Sequence, residues 1–165
     1  MITDRGLVMS GGLDCALCVA TLSKPRDTLK RIEHAHAKGA ISVAHDAVNN
    51  WFISGGFDGA IKIWSADAKP VMHFDSVADD AVRLAYVPLT HCYWHVDRFG
   101  HLQAYDARAL AQVTDFVSDA SSLAGHGLTG LWAPANCDSV FGATKDGGVL
   151  QWRCASLVLF YAKQE

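Results

Sequence analysis

Apolar and polar positions alternate along most of this chain in short runs rich in β-branched and aromatic residues. Gly, Asn, Asp and Pro separate the runs, which is the pattern of strands joined by tight turns. The clearest stretch predicts strands over Ile41–Asp46, Trp51–Gly55, Ala60–Ser65 and Val71–Asp75. Val48-Asn49-Asn50 makes the first turn between them, and Phe57-Asp58-Gly59 a tight hairpin. A second stretch repeats the plan with Val82–Val87, Cys92–Val96, Leu102–Asp106 and Gln112–Val117, and has turns at Pro88-Leu89-Thr90 and before Gly100. A third offers Leu128–Trp132, Ser139–Thr144, Val149–Arg153 and Leu157–Ala162. The N-terminal stretch is shorter, with strands over Leu7–Ser10, Cys15–Leu22 and Leu29–His34 and no room for an innermost one. Asp27–Lys38 also fits a short amphipathic helix.

The hairpins themselves recur. Ser10-Gly11-Gly12-Leu13-Asp14 returns as Ser54-Gly55-Gly56-Phe57-Asp58-Gly59, more weakly as Asp97-Arg98-Phe99-Gly100, and again as Ala143-Thr144-Lys145-Asp146-Gly147-Gly148. The anchors Asp14, Asp58, Phe99 and Asp146 are 44, 41 and 47 residues apart. A period near forty residues with four short strands per unit marks the blade of a β-propeller. The expected fold is therefore all-β: a partial propeller of about four blades, each with four antiparallel strands, the first lacking its inner strand. The blades are expected at 5–36 (incomplete), 40–75, 80–118 and 126–162, within a single segment 1–165.

Composition narrows the function. Half of the 165 residues are apolar and 19% are charged, as in a folded chain with a sizeable core. Fourteen basic against 17 acidic side chains give a net charge of −3, with no polybasic footprint for nucleic acid or anionic lipid. The longest apolar runs, such as Leu157–Ala162, are too short to span a bilayer, and Asp4 and Arg5 open the chain unlike a secretory leader. Five cysteines without framework spacing read as reduced thiols in a cytoplasmic setting.

The segment Phe52–Ser65, Phe-Ile-Ser-Gly-Gly-Phe-Asp-Gly-Ala-Ile-Lys-Ile-Trp-Ser, resembles the tryptophan–aspartate (WD) repeat family, and the likeness extends over nearly the whole chain. Trp64-Ser65, Tyr105-Asp106 and Trp152-Arg153 stand where the family's Trp-Asp pair would, and Gly125-His126 matches the dipeptide that opens a repeat. The resemblance implies a buried hydrogen-bond network of His, hydroxyl, Asp and Trp in each blade. Position by position, the fourth unit offers His126, Thr144, Asp146 and Trp152. The second offers His36, Asp58 and Trp64, with Gly56 where the hydroxyl is expected. The third has Phe99 in the Asp position, and the first has Asp14 with Ala20 in place of Trp. Such residues are structural. The resemblance also implies a partner-binding rim beside the turn Asp, here Leu13, Phe57, Arg98 and Lys145. Propellers close with about four to eight blades, so other blades are expected from a longer chain or another protein.

A second class of chemistry begins at the N-terminus. Leu7-Val8-Met9-Ser10-Gly11-Gly12-Leu13-Asp14-Cys15 resembles the pyrophosphate-binding loop of ATP pyrophosphatases, with Cys15–Leu22 as the helix that would follow. Recurrence of the string at Ser54–Asp58 and the lack of a downstream strand–helix alternation argue against it. Cys15-x-x-Cys18 on a strand points its thiols to opposite faces. His91, Tyr93 and His95 share one face of a strand, without a third ligand for a metal. His34-x-His36 is the closest approach to a metal pair, and no nucleophile elbow surrounds Ser10.

These features predict a non-catalytic scaffold that docks other proteins, including whatever completes the propeller, with no cofactor, metal, membrane or direct nucleic-acid partner. Family habit suggests a cytoplasmic assembly, cytoskeletal or ciliary. The alternative is an ATP pyrophosphatase-type enzyme built on Ser10–Asp14.

Overall fold

The structure, a computed structural model, describes residues 6–74, 83–97, 102–112, 128–134, 136 and 139–153. These residues form fourteen strands and no helix, in four antiparallel sheets. The chain divides into two compact units, 1–84 and 85–165.

In the first unit, β1 (Leu7–Gly11), β2 (Leu17–Thr21) and β3 (Lys24–Ile32) make a three-stranded sheet in chain order. The second sheet runs β4 (Ala40–Asp46), β5 (Trp51–Gly56), β6 (Ile61–Ser65) and β7 (Pro70–Phe74). Matched on the Ser-Gly-Gly hairpin, β1 corresponds to β5, so the first sheet lacks the counterpart of β4. The second unit holds the third sheet, β8 (Arg83–Val87, which starts just before the unit boundary), β9 (Cys92–Val96), β10 (Leu102–Asp106) and β11 (Ala111–Gln112). It also holds the fourth, β12 (Leu128–Trp132), β13 (Ser139–Thr144) and β14 (Val149–Arg153).

Period-2 geometry explains the burial. In the first unit Met9, Leu17 and Val19 project from one face of the first sheet onto Ala40, Phe52 and Trp64 of the second. In the second unit Trp94, Leu102 and Ala104 of the third sheet pack with Leu128 and Val140 of the fourth. A sheet covered on both faces needs apolar residues at successive positions, and every residue of β9 is buried. Each fully buried side chain of the size of Leu17 or Ile63 contributes roughly 1.5–3 kcal/mol.

The hairpins fix the register. Gly12 N–H donates to Ala16 O at 3.2 Å, Gly56 N–H to Ala60 O at 3.3 Å and Thr144 N–H to Gly148 O at 3.0 Å. The residue after each turn Asp is left-handed: Cys15 at φ 66°, Gly59 at 72° and Gly147 at 87°. Asp14, Asp58 and Asp146 therefore occupy equivalent corners of three sheets. Asp46 and Asp106 close other turns, their carboxylates accepting from the backbone N–H of Val48 and Asn49, and of Arg108 and Ala109.

Several expectations change. Asp27–Ile32 belongs to strand β3, so the helix considered over Asp27–Lys38 does not form, because pairing with β2 overrides its amphipathic pattern. Cys15 and Ala16 lie in the hairpin, and β2 starts at Leu17. β3 starts at Lys24 rather than Leu29, with register shifts opposite Val19–Thr21. The fourth strand of the last stretch, the Phe99–Gly100 turn and most of Gln112–Val117 lie outside the described residues. No helix among the described residues is long and apolar enough to cross a membrane.

Candidate functional site

The second sheet carries a continuous buried chain of polar side chains. His36, in the segment before β4, is wholly buried. Its Nδ1 lies 2.9 Å from Asp58 Oδ1 and its Nε2 lies 2.8 Å from Ser54 Oγ. Trp64 Nε1–H donates to the same Ser54 Oγ at 2.9 Å. Asp58 also accepts from the Ala37 and Ala60 amides, at 2.8 and 3.3 Å. One proton arrangement satisfies every partner: Nδ1–H donates to the carboxylate, Ser54 O–H donates to Nε2, and the Ser54 oxygen accepts from the indole.

The charges agree with that arrangement. Burial holds His36 below its usual value, against the opposing pull of Asp58. Burial pushes Asp58 upward, but the Ala37 amide and His36 outweigh it and leave the carboxyl below its usual range. The group is a neutral imidazole between an anion and a hydroxyl. Asp58, His36 and Ser54 stand in the hydrogen-bond order of a catalytic triad, but Ser54 is wholly buried and its oxygen is taken by the Trp64 indole, so the group serves to tie the segment before β4 to β5 and β6.

The hydroxyl comes from Ser54 and not from position 56. Both residues face the same side of β5, being two apart, and the histidine fills the space over Gly56. A Cβ on Gly56 would collide with the imidazole and stand 2.5 Å from Asp58 Oδ1. In the fourth sheet the Thr144 hydroxyl reaches the Asp146 carboxylate and Gly148 O within its own hairpin. Trp152 there packs over Gly142, whose Cβ would stand 2.8 Å from the indole ring. His126 lies outside the described residues. In the first sheet Asp14 pairs instead with Arg31 of the outer strand β3, at 2.7 Å, and Arg31 with Glu33 at 2.6 Å, all three exposed. Ser54 and Arg31 escaped the sequence reading, and a hydroxyl at any inward position of β5 was the signal for the first.

Of the rim residues, Leu13 is 76% exposed, Phe57 is half-buried and Lys145 is exposed. Arg98 lies outside the described residues. Gly39 joins the first two: Phe57 N–H donates to Gly39 O at 3.0 Å, and a Cβ on Gly39 would stand 3.2 Å from the Leu13 backbone. Its φ of 104° makes glycine the fitting residue there. Leu13 and Phe57 thus flank one loop.

The other chemistries find different settings. Ser10 and Gly11 lie on β1, a strand follows the turn, and the Gly12 amide is bonded to Ala16 O. The helix start that a pyrophosphate loop needs is therefore missing from Ser10–Asp14. Cys15 sits in the left-handed turn position and Cys18 on β2, where its sulfur accepts from Arg31 Nη1 at 3.5 Å. His91 lies in a turn at φ 51°, leaving Tyr93 and His95 on the strand face. No group of three metal-ligating side chains occurs among the described residues.

No family model matches the chain, and no curated protein sequence does. Solved structures do. A structure of U3-55K aligns over 94% of this chain with a TM-score of 0.80 and 20% identity, and the chain spans 48% of it. A crystal structure of RRP9 WD40 repeats aligns over 94% with a TM-score of 0.78 and 22% identity, and the chain spans 47% of that one. The chain thus spans about half the length of the structures it matches. Their shared blades, the hairpin repeat and the Trp64–Ser54–His36–Asp58 chain lead to one conclusion: this is the fold of a divergent WD-repeat β-propeller segment.

Proposed function

We propose that the chain is a non-catalytic scaffold whose rim around Leu13 and Phe57 docks partner proteins within a larger assembly. Leu13 carries the reading. A leucine 76% exposed on a hairpin tip adds nothing to the core, while Gly12 holds the tip, its N–H donating to Ala16 O and its carbonyl accepting from the Ala40 amide. Rigid presentation lowers the ordering cost of binding, and aromatic and arginine side chains, here Phe57 and Arg98, are the anchors that dominate interface energetics. Arg98 and Lys145 complete the proposed rim. The net charge of −3 favours protein partners over nucleic acid or membrane.

A photo-crosslinking residue at position 13 tests this in cell extract. Discrete protein adducts that vanish with Phe57→Asp and survive Val48→Asp, a distant exposed control, are the expected result. Adducts equally abundant at positions 13 and 48 would overturn it. The U3-55K and RRP9 likenesses are of fold, and nothing in either supports a cytoskeletal or ciliary setting. Fluorescent tagging decides that setting, and even cytosolic or nuclear signal would end it.

A further inference from the structure

β7 ends the second sheet, and among the described residues no further strand joins it. An end strand carries a row of outward main-chain N–H and C=O groups, which proteins blunt with charge, proline or shortness. β3, the end strand of the first sheet, is blunted in sequence by Lys24, Pro25, Arg26, Asp27, Lys30 and Arg31. β11, the end strand of the third, is two residues long. In β7 the proline stands at the first position, where it takes one amide out of the edge. From there Val71, Met72, His73 and Phe74 run without a lysine, an arginine or a carboxylate.

These side chains are apolar and exposed together. Val71 is 41% and Met72 37% exposed, and as neighbours on a strand they point to opposite faces. A groove of about 350 Å³ adjoins the strand, lined by β7 and by Lys62, Ile63 and Trp64 of β6, with no carboxylate in its lining. Lys62 pairs with His73 across the ladder and, two residues before Trp64, shares its face. Lys69 is exposed at the entry to β7. Lys30 Nζ donates to the Asp67 and Ala68 carbonyls of the same turn, at 3.3 and 3.2 Å. Between Lys62 and Phe74 the sequence holds one carboxylate, Asp67. A chain of net charge −3 is thus locally basic around this edge.

The geometry points to β7 as the docking edge for an extended acidic segment of a partner protein, which joins the second sheet as a fifth strand. Main-chain bonds to β7 supply the affinity, and alternate side chains of the added strand supply the choice of partner. Carboxylates on the His73 side meet the lysines, which repel a basic segment. Apolar side chains on the other side meet Met72, whose unbranched thioether adapts to their shape. The edge belongs to the first unit alone and needs neither the rim nor further blades.

A fluorescein-labelled eight-residue peptide alternating Glu and Val, titrated with the full chain and followed by polarisation, tests this. Saturable binding is expected, with a peptide alternating Lys and Val at least tenfold weaker. Strand addition uses every second amide of the peptide, so N-methylating one alternate set should abolish binding and methylating the other should spare it. Met72→Asp and Lys62→Glu should each weaken binding at least tenfold with far-UV circular dichroism unchanged, while Phe57→Asp should leave it as it is. No saturable binding, equal affinity for the Lys–Val peptide, the same response to both N-methylated sets, or indifference to Met72→Asp and Lys62→Glu would each overturn the proposal. Loss of binding with Phe57→Asp would move the peptide to the rim and overturn it as well.

Discussion

Trp64 and His36 converge on a single atom, the Ser54 hydroxyl oxygen, from 2.9 and 2.8 Å. Ser54→Ala removes the partner of both and leaves two buried nitrogens unsatisfied. A loss of about 2–3 kcal/mol is expected, measured by urea unfolding. A double-mutant cycle with Trp64→Phe should return a coupling energy on the order of 1 kcal/mol. Simple additivity would mean that the Ser54–Trp64 hydrogen bond adds nothing to stability.

Gly56→Ala should cost about 2 kcal/mol or more, since its methyl group occupies the imidazole's space. Combining it with His36→Ala should cost less than the sum of the two single changes, because removing the ring leaves only the contact with Asp58 Oδ1 to relieve. Full additivity, read from the urea midpoints, would count against the steric account.

The repeat and its strands were legible because Asp14, Asp58 and Asp146 each sit in a hairpin that needs an Asp side chain and a left-handed residue after it. Those are local demands, and local demands print onto sequence. The network was only partly legible. Thr144 beside Asp146 suggested a hydroxyl two residues before the Asp, but in the second sheet that place is emptied for His36. The serine lies two residues earlier, on the same face. That exchange depends on the path of the segment before β4, a tertiary fact. The Arg31–Asp14 pair was hidden for a similar reason: it joins the β1–β2 hairpin to β3, whose register against β2 shifts in a way no periodicity reveals.

Acid should weaken the fold through its buried histidines. Burial pushes His95 down to about 4, with Gln103 opposite it and Asp97 just past the end of its strand offsetting this only in part. His36 is lowered by burial as well. In both cases the unfolded chain takes up the proton first, so stability is full above the unfolded histidine value of about 6.5. For His95 it falls as pH drops from there toward 4, by up to ~1.4 kcal/mol per pH unit, and His36 adds to the fall in the same direction. Urea midpoints between pH 7 and 4.5 should show this, and His95→Gln should flatten the slope. A slope indifferent to both histidines would place the acid sensitivity elsewhere.

Cys15 stands at φ 66° where the second and fourth sheets have glycine. Cys15→Gly should raise stability by about 0.5 kcal/mol, because relief of the left-handed strain exceeds the added flexibility of the unfolded chain. Thermal melting under reducing conditions measures it, and a lowered midpoint would show that the cysteine side chain contributes more than its backbone costs.

The bare α-carbon of Gly56 also constrains how this sequence can change. Positions 36, 54 and 56 form one lock, and altering any one alone passes through a weakened intermediate. By sequence position the third sheet carries another solution, with His95 at the serine's place and Asp97 at the glycine's. Passage from one solution to the other requires substitutions that travel together, so tolerance at any of these sites will depend on the residues already present at its companions.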